Sequence, residues 1–300
     1  MSDIFVKGSV DAEERKSLAK SISSVFQAFQ VSLTMLVDPR VAAPYLLYFV
    51  LQMILLTAYL AGNSGPLARF WALPVPGVSP EHLGHYPAHL LLLQPILGRI
   101  EMILDVLLKC VFHGATVYLV ARTMRGGRPS LPRSFSAAGR RYPGLIVASI
   151  ISSIAVYAAI ILSVWLSSGM EGGVRYALLG GGIAAGLVIQ SLFVYAIPLV
   201  MIDDRSALSA LASGISLSLR TFTKTFLVVA IPFLLTVPAI LLDLKAEMIA
   251  LQLSPDFMIH SHVASRVLEL VSTYLITASA TVIFLARKVK RPAGTSLNMD

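Results

Sequence analysis

Charge is scarce in this chain. Only 13% of its 300 residues are Asp, Glu, Lys or Arg, where a soluble domain carries about 25%. Hydrophobic residues make up 56%, and the mean hydropathy is +0.77. Too little polar surface is left to cover a water-soluble globule, so the composition points to a membrane protein. Cysteine is nearly absent as well. Cys110 stands alone, which excludes an intrachain disulfide and any metal site built from several cysteines. The signatures G-x-S-x-G, H-E-x-x-H and the P-loop are missing, and with them the commonest hydrolase, metalloprotease and nucleotide-binding readings. Residues 1–20 mix both charge signs and lack an apolar core, so no cleavable leader is expected and the first apolar segment reads as a retained anchor.

Six apolar segments are present, at about 42–62, 96–121, 144–166, 177–202, 226–244 and 267–286. A helix needs ~20 mostly apolar residues to cross a bilayer core. The expected fold is therefore an all-α integral membrane protein with six transmembrane helices. Residues 1–41 precede the membrane domain of residues 42–286, and 287–300 form a basic tail. Of the 24 Lys and Arg, 18 fall in residues 1–41, the loops after the second and fourth segments, and the tail. Positive charge stays on the cytoplasmic side during insertion, so both termini are expected there, in agreement with an even number of spans.

Amphipathic segments precede alternate spans. In residues 12–37, Leu18, Ile22, Val25, Phe29, Leu33 and Leu36 recur at helical spacing, the pattern of a helix lying in the headgroup plane. Asp38-Pro39 ends it. Residues 130–142 precede the third span, and residues 205–224 precede the fifth, with Leu208, Leu211, Ile215, Leu219 and Phe222 as an apolar stripe. The chain thus reads as three units, each an interfacial helix followed by a hairpin-like pair of spans, at about 12–121, 130–202 and 205–286. Loop 63–95 contains Pro66, Pro74, Pro76, Pro80 and Pro87, which exclude a continuous helix; Phe70 and Trp71 within it are expected as interfacial anchors. Gly182 and Gly186 share a helix face that admits a close neighbour, in the same bundle or in a second copy. Pro232 and Pro238 should kink the fifth span.

The second span carries the chemistry. Glu101, Asp105, Lys109 and His113 follow one another at intervals of four, which lines them along one slowly rotating face. Ionisable groups at that depth cost several kcal/mol unless paired or wetted. Two readings stay open: a neutralised ladder, with Asp105 on Lys109 and Glu101 on Arg99 or Arg266, or a polar cavity for an ion, a proton or an anionic headgroup. A weaker cluster is His82, His85, His89, His260 and His262, all expected on the extracytoplasmic side. Pro87 interrupts it, so solvated loop residues are expected there and no metal. Arg122, Arg125, Arg128, Arg133, Arg140 and Arg141 carry no intervening acid; they mark orientation and suit contact with anionic lipid. That stretch has few interleaved aromatics and no recognisable module, so nucleic acid is not an expected partner. Ser152, Ser153 and Ser272 are expected to bond backbone carbonyls.

One stretch is more specific. Ile197-Pro198-Leu199-Val200-Met201-Ile202-Asp203-Asp204-Arg205, followed by Ala207-Leu208-Ser209-Ala210-Leu211-Ala212-Ser213, Leu219-Arg220 and Phe222, resembles a pattern in uncharacterised six-helix bacterial inner-membrane proteins. These include the membrane domain attached to some glycerophosphoryl diester phosphodiesterases. The likeness covers about 30 residues and implies a bacterial inner-membrane fold without a settled activity. The phosphodiesterase catalytic domain has no counterpart, so that enzymology does not carry over. Asp203 and Asp204 are expected to cap the helix that follows them. The functional expectation is a non-enzymatic membrane protein without a cofactor, acting through anionic lipids, a membrane-protein partner or a second copy of itself. The alternative is a transporter or channel built on the stripe of the second span.

Overall fold

The computed structural model describes residues 24–62, 66–75, 77–252 and 254–290. Every regular element among them is helical: α1 Ser24–Leu36, α2 Pro39–Ala61, α3 Pro66–Ala72, α4 Pro80–Leu83, α5 Ala88–Leu91, α6 Leu93–Leu104, a π turn Asp105–Lys109, α7 Cys110–Met124, α8 Leu131–Arg140, α9 Tyr142–Ser167, α10 Gly172–Phe193, α11 Ala196–Asp203, α12 Ala207–Arg220, α13 Phe222–Phe233, α14 Val237–Gln252 and α15 Phe257–Lys290. Five stretches are long and apolar enough to cross a membrane: Pro39–Ala61, Leu93–Met124, Tyr142–Ser167, Gly172–Asp203 and Phe257–Lys288. A sixth is reached if α12 and α13, bent by 98° at Thr221, count as one.

The fifth expected span is not one helix. α13 ends at Phe233, Leu234–Thr236 form a tight turn, and α14 begins at Val237. Pro232 and Pro238 flank the turn, and proline removes an amide donor and clashes with the preceding turn. The last span starts earlier than its hydropathy suggested, at Phe257, so His260, His262 and Arg266 belong to a helix and not to a loop.

α15 is the axis of the bundle. Over half of its apolar window is buried inside the protein (56%), against 11% for Tyr142–Ser167, so α15 is the central helix and α9 a peripheral one. Tyr274, Leu275, Ala278 and Ile283 of α15 join Val25, Tyr45, Val117, Leu145 and Val200 in the main core. Small residues allow the closest approaches, as in membrane bundles where apolar burial drives little association. A Cβ at Gly182 would lie 2.0 Å from Ser163 Oγ, so α10 presses directly on α9, and the Gly182/Gly186 face is filled from within the chain. At Gly114 a Cβ would meet Leu145, Met201 and Ala138, where α7 receives α8, α9 and α11 together.

The amphipathic helices turn only part of their expected apolar stripes inward. α1 buries Val25, Ala28, Phe29 and Ser32 and leaves Leu33 exposed; Ser32 Oγ meets Ser279 of α15 at 3.0 Å. Leu18 and Ile22 lie outside the described residues. α12 buries Ala207, Ala210, Leu211, Gly214 and Ser218 and exposes Leu208 and Leu219. Beside Val25, Phe29 and Leu211, small side chains fill the buried faces and let the backbones meet, and the remaining large apolar ones need no cover in hydrocarbon. Asp38 caps α2, its Oδ1 accepting from Arg40 N at 2.9 Å.

Loop 63–95 folds into α3, α4 and α5 over a small core of Tyr59, Trp71, Leu83, Leu93 and Ile96. Trp71 is buried there, edge-on to Tyr59, and is no interfacial anchor; Phe70 is exposed. Asp203 and Asp204 do not cap α12, whose first turn holds no acidic residue. They end α11, with Asp204 in the left-handed region (φ 56°). Asp203 pairs with Lys288 of α15, and Asp204 Oδ1 with Arg141 Nε at 2.7 Å.

Candidate functional site

A regular α-helix closes each turn four residues on. Between Asp105 and Lys109 the chain instead makes one π turn, a feature frequent at functional sites because it rearranges carbonyls and side chains locally. The Leu107 carbonyl within it accepts from Tyr142 Oη at 3.2 Å and from Cys110 Sγ at 3.4 Å. The turn keeps Lys109 on Asp105, Nζ to Oδ2 3.0 Å.

The partners come from the far end of the sequence. His262, Arg266 and Glu269 occupy one face of α15 at spacings of four and three. Lys109 Nζ reaches Glu269 Oε1 at 2.5 Å, and Arg266 Nη1 reaches Glu269 Oε2 at 2.5 Å. Arg266 Nη2 lies 2.9 Å from Glu101 Oε2, and His262 Nε2 lies 3.2 Å from Glu101 Oε1. Tyr48 of α2 donates its hydroxyl to Asp105 Oδ1. Seven side chains from α2, the α6–α7 span and α15 thus form one chain of contacts, buried at Tyr48, Glu101 and His262 and half-buried at the other four. Each charge is paired with at least one of opposite sign, as burial of charge requires. Among the described residues, Asp105, Glu101 and Glu269 face Lys109 and Arg266, which leaves one formal negative charge over before His262 is counted.

The network borders a cavity of about 500 Å³, within the range of small-molecule sites. Asp105, Lys109, Arg266 and Glu269 lie on its charged wall. Hydroxyls and an amide from Ser149, Ser152, Gln190, Ser265, Ser272 and Thr277 continue it, and Val156, Phe193, Ile197, Phe233, Ile240 and Ile276 make an apolar side. Three interruptions of regular helix open onto the same space: the π turn at Asp105–Lys109, the break between α10 and α11 at Phe193–Ala196, and the break between α13 and α14 at Phe233–Thr236. Irregular backbone at membrane depth is tolerated where it is buried in protein or lines a cavity.

No protein-family model, curated protein or solved structure matches this chain.

Of the stripe on the second span, Glu101, Asp105 and Lys109 enter the network, and Arg266 is the partner that Glu101 takes. Arg99 turns instead to the Pro74 carbonyl. His113 stands apart. It lines the cavity, its ring centroid lies 5.6 Å from that of Tyr45, and its Nε2 is buried without a hydrogen-bond partner. The five-histidine cluster is not assembled. His262 is fully buried on Glu101, while His85 and His260 are exposed and His89 lies beside Tyr86; the His82 side chain lies outside the described residues. Among the described residues no group of three His, Cys, Asp or Glu side chains could hold a metal ion. Arg122, Arg125, Arg128, Arg133 and Arg140 are exposed, and Arg141 is held by Asp204. Ser152 donates to the Ala148 and Ser149 carbonyls at 2.9 and 3.0 Å.

Sequence reasoning missed Tyr48, His262 and Glu269 as members of this site. The available signal was the His-x₃-Arg-x₂-Glu spacing ahead of the last apolar segment, which places three titratable groups on one helix face.

Proposed function

We propose that the protein is a transport protein of a bacterial inner membrane, taking a small solute into the cavity between the α6–α7 span, α9, α10–α11, α13–α14 and α15. The observation that carries this reading is the coincidence of the charged wall with three helix interruptions around one cavity. Discontinuous helices that meet buried polar groups near the middle of a bundle are the usual architecture of a transporter's binding site. Charged side chains in a membrane interior mark a solute or ion path by default. In this reading six crossings are made, the fifth by α13 and α14 together, with α1, α8 and α12 lying along the interface ahead of alternate crossings. Both termini face the cytoplasm, supported by the Lys and Arg asymmetry. The bacterial inner membrane is supported by the resemblance of the segment from Ile197 to Phe222. The exposed arginines at 122, 125, 128, 133 and 140 favour a second role that coexists with the first, contact with anionic lipid headgroups.

The test uses the single cysteine. In a Cys110→Ala background, Ser152→Cys places a thiol on the cavity wall, and Ile161→Cys places one on the exposed outer side of the same helix. In sealed proteoliposomes, a membrane-impermeant thiosulfonate should modify the thiol at 152 from at least one face and leave that at 161 unreacted. Equal inertness at both positions sinks the transport reading, because a cavity that water never enters cannot pass a solute.

A further inference from the structure

Resting on that reading of the cavity, we infer that its solute is an organic monocation: a primary ammonium group carried on an apolar body. Four observations converge. The first is charge. Among the described residues, and before His262 is counted, three carboxylates face two fixed cations in the connected network, so one further positive charge balances it. The second is exposure. Of the four charged groups on the cavity wall, the carboxylates are the more open, 21% for Asp105 and 29% for Glu269, against 12% for Lys109 and 15% for Arg266. The free edge of the network is its anionic edge.

The third is hydrogen-bonding capacity. Asp105 Oδ1 accepts from Tyr48 and Oδ2 from Lys109; Glu269 Oε1 accepts from Lys109 and Oε2 from Arg266. An ionised carboxylate has about four acceptor sites, so both retain room for donors. Lys109 already gives two of its three protons to carboxylates. An ammonium group supplies the donors and the charge that the wall lacks, whereas an entering anion would add to its excess of negative charge. His113 Nε2, buried without a partner on the same cavity wall, adds one more unmet polar atom.

The fourth is size and lining. About 500 Å³ is far more than a dehydrated metal ion fills, and the described residues hold no metal-binding group of three. Phe193, Phe233, Ile240 and Ile276 give an apolar body its cover, and Tyr157 and Phe193 add aromatic rings to the lining, which favour cations over neutral groups.

The experiment is equilibrium binding of tritiated 2-phenylethylammonium to the purified full chain in lipid nanodiscs. Expected is saturable binding at one site per chain, competed by n-butylammonium. The similarly sized 3-phenylpropanoate and 2-phenylethanol should not compete at equal concentration. Glu269→Gln and Asp105→Asn should each weaken binding at least tenfold. Ser152→Trp, which narrows the wall without touching a charge, should abolish it in a protein that elutes normally on size exclusion, so that loss of binding is not mistaken for loss of fold.

Absence of saturable ammonium binding overturns the proposal. Equal competition by the anion or the alcohol also overturns it. If the anion binds and Ser152→Trp still blocks it, the cavity reading stands and only the solute class falls. If the thiol at Ser152→Cys proves inaccessible, the cavity reading itself falls.

Discussion

Lys109→Met is the sharpest perturbation of the buried network. Lys109 Nζ touches Asp105 at 3.0 Å and Glu269 at 2.5 Å, and its side chain is 12% exposed. Removing it leaves two carboxylates facing each other across a space of low dielectric. Breaking a buried ion pair by deleting one partner costs about 3–5 kcal/mol, because the stranded charge keeps its desolvation penalty. The upper half of that range applies here, since Glu269 retains Arg266 but Asp105 retains only the Tyr48 hydroxyl. The double variant Lys109→Met with Asp105→Asn removes the stranded charge. Glu269 keeps Arg266, and Tyr48 can still donate to the amide oxygen at position 105. A coupling energy of up to about 3 kcal/mol is therefore expected between the two sites, with the double variant more stable than Lys109→Met alone. Reversible unfolding in mixed micelles, followed by the fluorescence of buried Trp71, measures both. If Lys109→Met unfolds within about 0.5 kcal/mol of the parent, the ordinary range for a surface change, or if the double variant is no better than the single, the pairing described for this network is wrong. The double variant has a second use. It should remain folded yet lose solute binding, an outcome that a purely structural ladder does not produce.

Three further outcomes follow from the packing. Gly182→Leu forces a side chain where Ser163 Oγ lies 2.0 Å from the Cβ position, so it should destabilise by at least about 1–3 kcal/mol, read by the same unfolding assay; were this face instead a seam between copies, light scattering would show lost dimer with unchanged stability. Asp204→Gly should fall within about 1 kcal/mol of the parent, since the exposed pair with Arg141 is weak and glycine accepts a φ of 56°, whereas Asp204→Val should cost a further ~1–2 kcal/mol in that left-handed conformation. Replacing Arg122, Arg125, Arg128, Arg133 and Arg140 by Gln should reduce several-fold the anionic lipid retained in native mass spectra, with the unfolding midpoint unchanged.

The apolar segments were legible because a long hydrophobic run in a helix leaves few alternatives in a bilayer. Pro39–Ala61 and Tyr142–Ser167 lie within a few residues of where hydropathy put them. The amphipathic helices were legible as elements and only partly as faces. In α12 the expected stripe splits: Leu211 is buried in one cluster with Ala196 of α11 while Leu208 and Leu219 are exposed, and it is Gly214 that lets α11 approach. A hydrophobic stripe signals a core only where water is the alternative. Beside lipid, the small residues carry the packing information. Trp71 was misread for a related reason: the prolines of loop 63–95 excluded a continuous helix but did not show that three short ones would enclose a core of their own.

The site divides along the same line. Asp105 and Lys109 were legible from spacing, since i and i+4 meet on any helix. Their continuation into Glu269, Arg266 and His262 was not, because those contacts join positions 160 or so apart in sequence and local periodicity carries no record of them. Hydropathy then made the last span look shorter than it is. It charges each ionisable group its full cost of entering hydrocarbon, and so it left Arg266 outside the membrane and placed Glu269 at its edge. That cost falls once opposite charges meet. Arg266 stands between Glu101 and Glu269, and Glu269 between Arg266 and Lys109, so each group is tolerable at depth only because the second span has already placed its complement there. A polar face on each of two spans, with acids and bases complementary between them, is thus better read as one buried site than as two short helices.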